Sequence, residues 1–130
     1  MLKKLIMICC LFFVQSSAFA FTAGELAEQC RVTQQKLPEK EAGEKAIKRF
    51  LDTGTCAGYV GGVIAGVNLA GAMMMEQKVM KTNFICMPRK YHAQQLVKMF
   101  LDYMDENKKY AKESAQLTVY NVFRKRFPCK

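Results

Sequence analysis

Much of the usual catalytic equipment is missing from this chain. Its 130 residues hold one histidine, His92, and an imidazole without a second histidine or a partnered nucleophile is more often a helix-start residue than a base. Ser16 and Ser17 lie near the start, and the remaining serine, Ser114, has no base near it in sequence. No CxxC occurs, which argues against a thioredoxin-type redox site. Gly61-Gly62 is followed by no Lys-Ser/Thr and preceded by no strand pattern, so it is not a phosphate loop. The carboxylates lie on mixed-charge stretches where solvation accounts for them. These gaps predict a non-enzyme with no catalytic residue and no cofactor. No segment alternates polar and apolar residues long enough to argue a strand, and no repeat is visible, so the expected class is all-α.

Charge is absent from Cys56 to Met75. Within that run Gly58, Gly62, Gly66 and Ala70 recur every four residues, which on a helix makes one ridge without side chains, flanked by Tyr59, Val63 and Val67. Glycine inside a helix costs about 1 kcal/mol relative to alanine, so such a helix suits a place where neighbours hold it. The expectation is a central buried helix, with Gly58, Tyr59, Gly62 and Gly66 as the surface on which another helix packs. An uncharged run of this length is also the mark of a membrane span. Its glycine content, Asn68 near its middle and the amphipathic, cysteine-bearing segments on both sides favour a soluble core, with no stable membrane insertion.

The chain opens Met1-Leu-Lys-Lys4, runs through an apolar stretch from Leu5 to Val14 and reaches Ala18-Phe-Ala20. A basic start, a short apolar run and a small-x-small site are the pattern of a secretory leader. Residues 1–20 are read as a cleaved signal peptide and 21–130 as one domain exported to the periplasm. The formal charge is +9, of which Lys3 and Lys4 belong to the leader. Export turns that excess away from nucleic acid and toward an acidic protein or an anionic envelope.

Of six cysteines, Cys9 and Cys10 fall in the leader, leaving Cys30, Cys56, Cys86 and Cys129. An even set in a small exported domain implies disulfides. Their spacings are far longer than those of zinc sites, so no metal is expected.

Thr22 and Glu25 form a capping box at a first helix, with Phe21 placed to staple onto Leu26. Leu37-Pro38-Glu39 starts a second helix with Ala46, Ile47, Phe50 and Leu51 on one stripe, which Asp52-Thr-Gly54 ends or bends before Thr55 caps the central one. Glu76 to Asn83 is the polar connection to a helix bearing Leu96, Val97, Phe100, Tyr103 and Met104. From Tyr110 onward Ala115, Val119, Val122 and Phe123 trace the last helix. The last two helices, similar in length and joined by a short turn, should lie antiparallel, which brings Cys86 to Cys129. The same geometry brings Cys30, late in the first helix, to Cys56, early in the central one. The expected architecture is a disulfide-stabilised bundle of four to five helices around a glycine-rich central helix. Met73-Met74-Met75 points around a helix end and fits core filling better than soft-metal binding.

Taken together, Cys56-x-Gly58-Tyr59 opening a glycine-rich helix, Cys86-x-Pro88 before a helix with Gln94 and Gln95, and a terminal Phe127-Pro128-Cys129 resemble the Rap/Tai group of immunity proteins. Those are periplasmic helical proteins that protect bacteria from type VI secretion amidase effectors. The resemblance spans 21–130. It implies a non-enzymatic inhibitor, often a homodimer, that docks on a peptidoglycan amidase and blocks its active-site cleft. The connection supplies the expected contacts, Glu76, Gln77, Lys78, Lys81 and Asn83. The competing expectation is a small periplasmic chaperone or acid-stress protein, also helical, disulfide-bonded and charged.

Overall fold

The computed structural model describes residues 21–35 and 42–130. Over these the chain forms four α-helices, α1 Ala23–Arg31, α2 Glu44–Glu76, α3 Ala93–Glu106 and α4 Ala115–Arg126, with 3-10 turns at Val32–Gln34 and Lys108–Lys112. The signal peptide expected at 1–20 and the helix start expected at Leu37-Pro38-Glu39 lie outside the described residues. Among the described residues the β-type pairing is an isolated antiparallel bridge of Thr22 with Ser114. The protein is an all-helical bundle braced by two disulfides.

α1 begins where the capping box expects. The Thr22 N–H and hydroxyl each lie 2.9 Å from Glu25 Oε2, and the Glu25 N–H donates back to Thr22 Oγ1 at 3.2 Å. The Thr22 backbone and side-chain donors hold the Glu25 carboxyl below its ordinary range. α1 is short, yet it buries Ala23, Leu26, Ala27 and Cys30 and touches each of the other three helices. Its first turn is tied to the far end of the chain: the Ala23 N–H donates to Glu113 O at 2.8 Å and the Ala115 N–H to Phe21 O at 2.9 Å. Gly24 is required there, because a Cβ would sit 2.9 Å from the Ala111 carbonyl oxygen. The Phe21 ring meets Tyr59 edge-on, with centroids 5.8 Å apart.

α2 corrects the expected division into two helices, for it runs unbroken through 33 residues. Asp52-Thr-Gly54 does not stop it. A single interior glycine costs only about 1 kcal/mol, Lys48 spans the junction by reaching Asp52 at 2.7 Å, and the Cys30–Cys56 bond anchors the helix one turn later. The true breaker is Gly43, which sits at the N-cap with φ +72°, a left-handed conformation that favours glycine. By length and composition α2 could also cross a membrane, and 22% of its most apolar stretch is buried.

The core forms where α2's inner face, Cys56, Val60 and Ile64, meets Leu26, Val97, Phe100, Val119 and Phe123. Phe100 and Phe123 are fully buried, and each such side chain contributes about 1.5–3 kcal/mol. Cys30 bonds Cys56 and Cys86 bonds Cys129, the pairing expected from the antiparallel packing. Across the bundle, Arg31 on α1 donates to Asp105 on α3 at 2.6 Å.

The glycine ridge is a second correction. Gly58, Gly62 and Gly66 face outward, and a Cβ built on any of them would meet nothing within 4 Å, so no described helix lies along the ridge. Tyr59, beside the ridge, is half-buried, and that burial pushes its hydroxyl up. The glycine that does permit close approach on α2 is Gly71, which is buried against Asn83 and Phe84.

Candidate partner-binding surface

The connection from α2 to α3 divides into a free tip and an anchored strap. At the tip the helix ends in two crossed hydrogen bonds: the Val79 N–H donates to Met74 O at 2.9 Å and the Lys78 N–H to Met75 O at 3.0 Å. This is the Schellman geometry, in which the residue after the cap turns left-handed and is usually glycine. Here that position is Lys78, with φ +59°, the one non-glycine residue at positive φ among those described. Holding a side chain in this region costs on the order of 1 kcal/mol, and such strain persists where the surroundings enforce it. Lys78, Val79, Lys81 and Thr82 are all exposed, and Val79 keeps 64% of its surface open.

Residues 83–91 bind the tip to the bundle. Asn68, inside α2, is the hub: its backbone carbonyl accepts from Asn83 Nδ2 at 3.1 Å and its side-chain Oδ1 from the Ile85 N–H at 3.3 Å. Asn83 Oδ1 in turn accepts from the Phe84 N–H at 2.7 Å. A Cβ on Gly71 would overlap the Asn83 amide, so glycine is what lets the strap lie this close. Ile85 is 2% exposed, Phe84 packs edge-on against Tyr120 at 6.2 Å, and the Cys86 N–H donates to Phe127 O at 2.9 Å beside the Cys86–Cys129 bond. Tyr91 closes the strap onto Phe127 with centroids 5.1 Å apart.

This geometry sorts the contacts expected from sequence. Glu76, Gln77, Lys78 and Lys81 are exposed at the tip. Asn83 is half-buried with both side-chain atoms engaged internally, which makes it a positioning residue rather than a free contact. Asn68 and Gly71 were missed, because a polar residue and a glycine inside an apolar run give no sign of which loop they receive. Between Glu76 and His92 the charges are Lys78, Lys81, Arg89 and Lys90 against Glu76. The Cys86–Cys129 bond joins this segment to the chain end next to Lys130. The surface is therefore electropositive and suits a partner face rich in carboxylates.

Elsewhere the geometry offers little for bond-making chemistry. His92 is exposed at the start of α3, where its backbone N–H donates to Gln95 Oε1 at 2.9 Å. Ser114 is the N-cap of α4 and takes part in the bridge with Thr22. Among the described residues no three His, Cys, Asp or Glu side chains cluster as a metal site would need. A cleft of about 560 Å³ lies between the ends of α3 and α4, lined by Met99, Asp102, Tyr103, Glu106, Lys125 and Arg126. A shallower groove of about 410 Å³ separates Gly62 and Gly66 of α2 from Leu117 and Tyr120 of α4.

Set against known proteins, residues 22–129 match the family model described as Rap1a immunity proteins. No curated protein and no solved structure matches the chain.

Proposed function

The chain belongs to the Rap1a immunity protein family, and we propose that it is exported to the periplasm, where residues 21–130 neutralise a secreted peptidoglycan amidase by seating the tip at 76–82 over its active-site cleft. The role of an immunity protein, binding and silencing a partner effector, follows from the family. The choice of the tip as the docking element rests on one observation. An exposed, basic, left-handed turn is anchored to the bundle by Asn68, Gly71, Asn83 and the Cys86–Cys129 bond.

Rigidity is what an inhibitor loop needs. A loop already held in its bound shape loses little conformational freedom on docking, and each side chain that stays mobile until binding forfeits about 0.5–1.5 kcal/mol. Lys78 and Lys81 supply the contacts to carboxylates at a cleft rim, while Val79 supplies an apolar point that enters it. Blocking by occupation requires no chemistry from the inhibitor, in keeping with a family that is generally non-catalytic. The Cys30–Cys56 and Cys86–Cys129 bonds suit an oxidising compartment such as the periplasm.

The test is inhibition of purified secreted peptidoglycan amidases, measured as release of cleaved muropeptides. The doubly substituted Lys78→Glu, Lys81→Glu chain should inhibit at least 100-fold less well while its circular dichroism and melting stay those of the parent. Undiminished inhibition by that variant would remove the tip from the interface. No inhibition by the parent chain would remove the amidase.

A further inference from the structure

The two disulfides sit in opposite surroundings. Cys30 and Cys56 are each 0% exposed, in one buried cluster with Leu26 and Val60. Cys86, on the strap, is exposed, and Cys129, in the chain end that follows α4, is half-buried. A thiolate has to reach a sulfur to cleave a disulfide, so a bond in the core opens only when the core does, whereas a surface bond can be attacked in the native state. Charge sharpens the difference. Within four residues of Cys86 or Cys129 the charged side chains are Arg89, Lys90, Lys125, Arg126 and Lys130, all exposed, with no aspartate or glutamate. Around Cys30 and Cys56 the same span holds Glu28 and Asp52 against Arg31. A cationic neighbourhood draws in an attacking thiolate and stabilises the one that leaves, while carboxylates do the reverse.

We propose that Cys86–Cys129 is a site of thiol exchange, at which an external dithiol frees the strap while Cys30–Cys56 stays closed. One thiolate of the dithiol attacks the sulfur of Cys86, the more exposed residue of the pair. A mixed disulfide forms there as the bond to Cys129 breaks, and the electron pair leaves on the Cys129 sulfur, next in sequence to Lys130, where it takes up a proton. The second thiolate of the dithiol then attacks the mixed disulfide, closes the reductant's own disulfide and releases the Cys86 sulfur, which takes up the second proton. Two electrons pass from the dithiol, which is oxidised, to the protein disulfide, which is reduced. The two protons gained by the cysteines equal the two that the dithiol gives up.

What the bond holds defines what its opening changes. It closes a separation of 43 residues and pins the strap to the end of α4. There the Cys86 N–H donates to Phe127 O at 2.9 Å, and Tyr91 and Phe123 pack on the Phe127 ring. These contacts and the Cys30–Cys56 bond do not need the second disulfide in order to form. The reduced chain therefore keeps its helices, while the strap, held by noncovalent contacts alone, opens and closes locally. The proposal rests on the burial and charge around two bonds of this chain and does not depend on the amidase reading.

Timed reduction of the oxidised chain by dithiothreitol tests it, with samples quenched in N-ethylmaleimide and peptides mapped by mass spectrometry. Labelling of Cys86 and Cys129 should run on the order of 100-fold ahead of Cys30 and Cys56. The two-thiol species so formed should keep the far-ultraviolet circular dichroism of the parent. Its hydrogen exchange should quicken by about 10-fold at 84–91 and stay unchanged in α1. The part played by charge is read from two monothiols compared at equal thiolate concentration. At low salt the anionic mercaptoethanesulfonate should form the mixed disulfide at Cys86 about 5-fold faster than the cationic cysteamine, and the gap should narrow in about 1 M salt or in the Arg89→Ser, Lys90→Ser chain. Equal labelling of all four cysteines, earlier opening of Cys30–Cys56, unchanged exchange at 84–91, or a cationic thiol as fast as the anionic one would each overturn the proposal.

Discussion

On its inner side α2 sets Gly71 against Asn83 and closes the strap so tightly that no Cβ fits, whereas on its outer side Gly58, Gly62 and Gly66 look into open space. The residue type is the same and the helix is the same. What differs is the company. The inner side alternates Gly71 with Cys56, Val60 and Ile64, which the disulfide and the core hold in place, while the outer side offers only exposed apolar ends. Glycine at helical spacing therefore does not by itself mark where another element of the chain lies close. The contrast also separates two roles: the inner side orders the loop proposed to face a target, and the outer side carries none of the core.

The largest way to break this arrangement is to remove a disulfide. Cys30→Ala with Cys56→Ala, opening a closure of 26 residues, should lower unfolding free energy by about 3–4 kcal/mol in the loop-entropy model, read as a shift of the urea midpoint at constant slope. It cuts α1 away from the inner face and leaves the outer face as it was. Asn68→Ala is next. It strands the Ile85 N–H in a site 2% exposed, for a cost of about 1–3 kcal/mol, and hydrogen exchange at 77–85 should quicken by more than exchange in α3. Lys78→Gly is smaller and opposite in sign. Relieving the left-handed turn should stabilise the fold by about 0.5–1 kcal/mol while lowering inhibition of the amidase, because the charge goes with the strain.

The smallest effect is that of pH. Hydrogen bonding to Arg31 holds the Asp105 carboxyl below its ordinary range. A carboxylate whose folded pKa is depressed stabilises the fold above the unfolded value, near ~3.9, and loses that contribution as pH falls through the folded value. Thermal stability of the parent should thus decline more steeply below about pH 4 than that of Asp105→Asn, and the two should run parallel from pH 5 to 8. The pair is exposed, so the difference is slight.

Several of these features were legible in sequence. The Thr22–Glu25 box, the absence of strands, the apolar spacing of α3 and the pairing of Cys86 with Cys129 all follow from local chemistry or from the short connection between adjacent helices. The division of α2 did not, because Asp52-Thr-Gly54 has the composition of a helix end and the signal against it, Lys48 placed four residues before Asp52, is worth only a few tenths of a kcal/mol. The orientation of the glycine ridge was equally hidden. Periodicity places residues on a common side of a helix and leaves open whether that side meets the core. Of the partner surface, the charged tip was visible as a polar break between apolar helices, but the anchoring by Asn68, Gly71 and Asn83 links positions that only the folded backbone brings together.

The most direct test of the two-sided account of α2 compares one substitution at two glycines. Gly71→Ala and Gly62→Ala are unfolded in urea at a protein concentration low enough to keep the chain monomeric. Gly71→Ala should destabilise by about 1–3 kcal/mol because the Asn83 amide must be displaced, and Gly62→Ala should stabilise by about 0.5–1 kcal/mol because a helix gains a methyl group and loses unfolded-state entropy. Shifts of the same sign at the two positions would contradict the account.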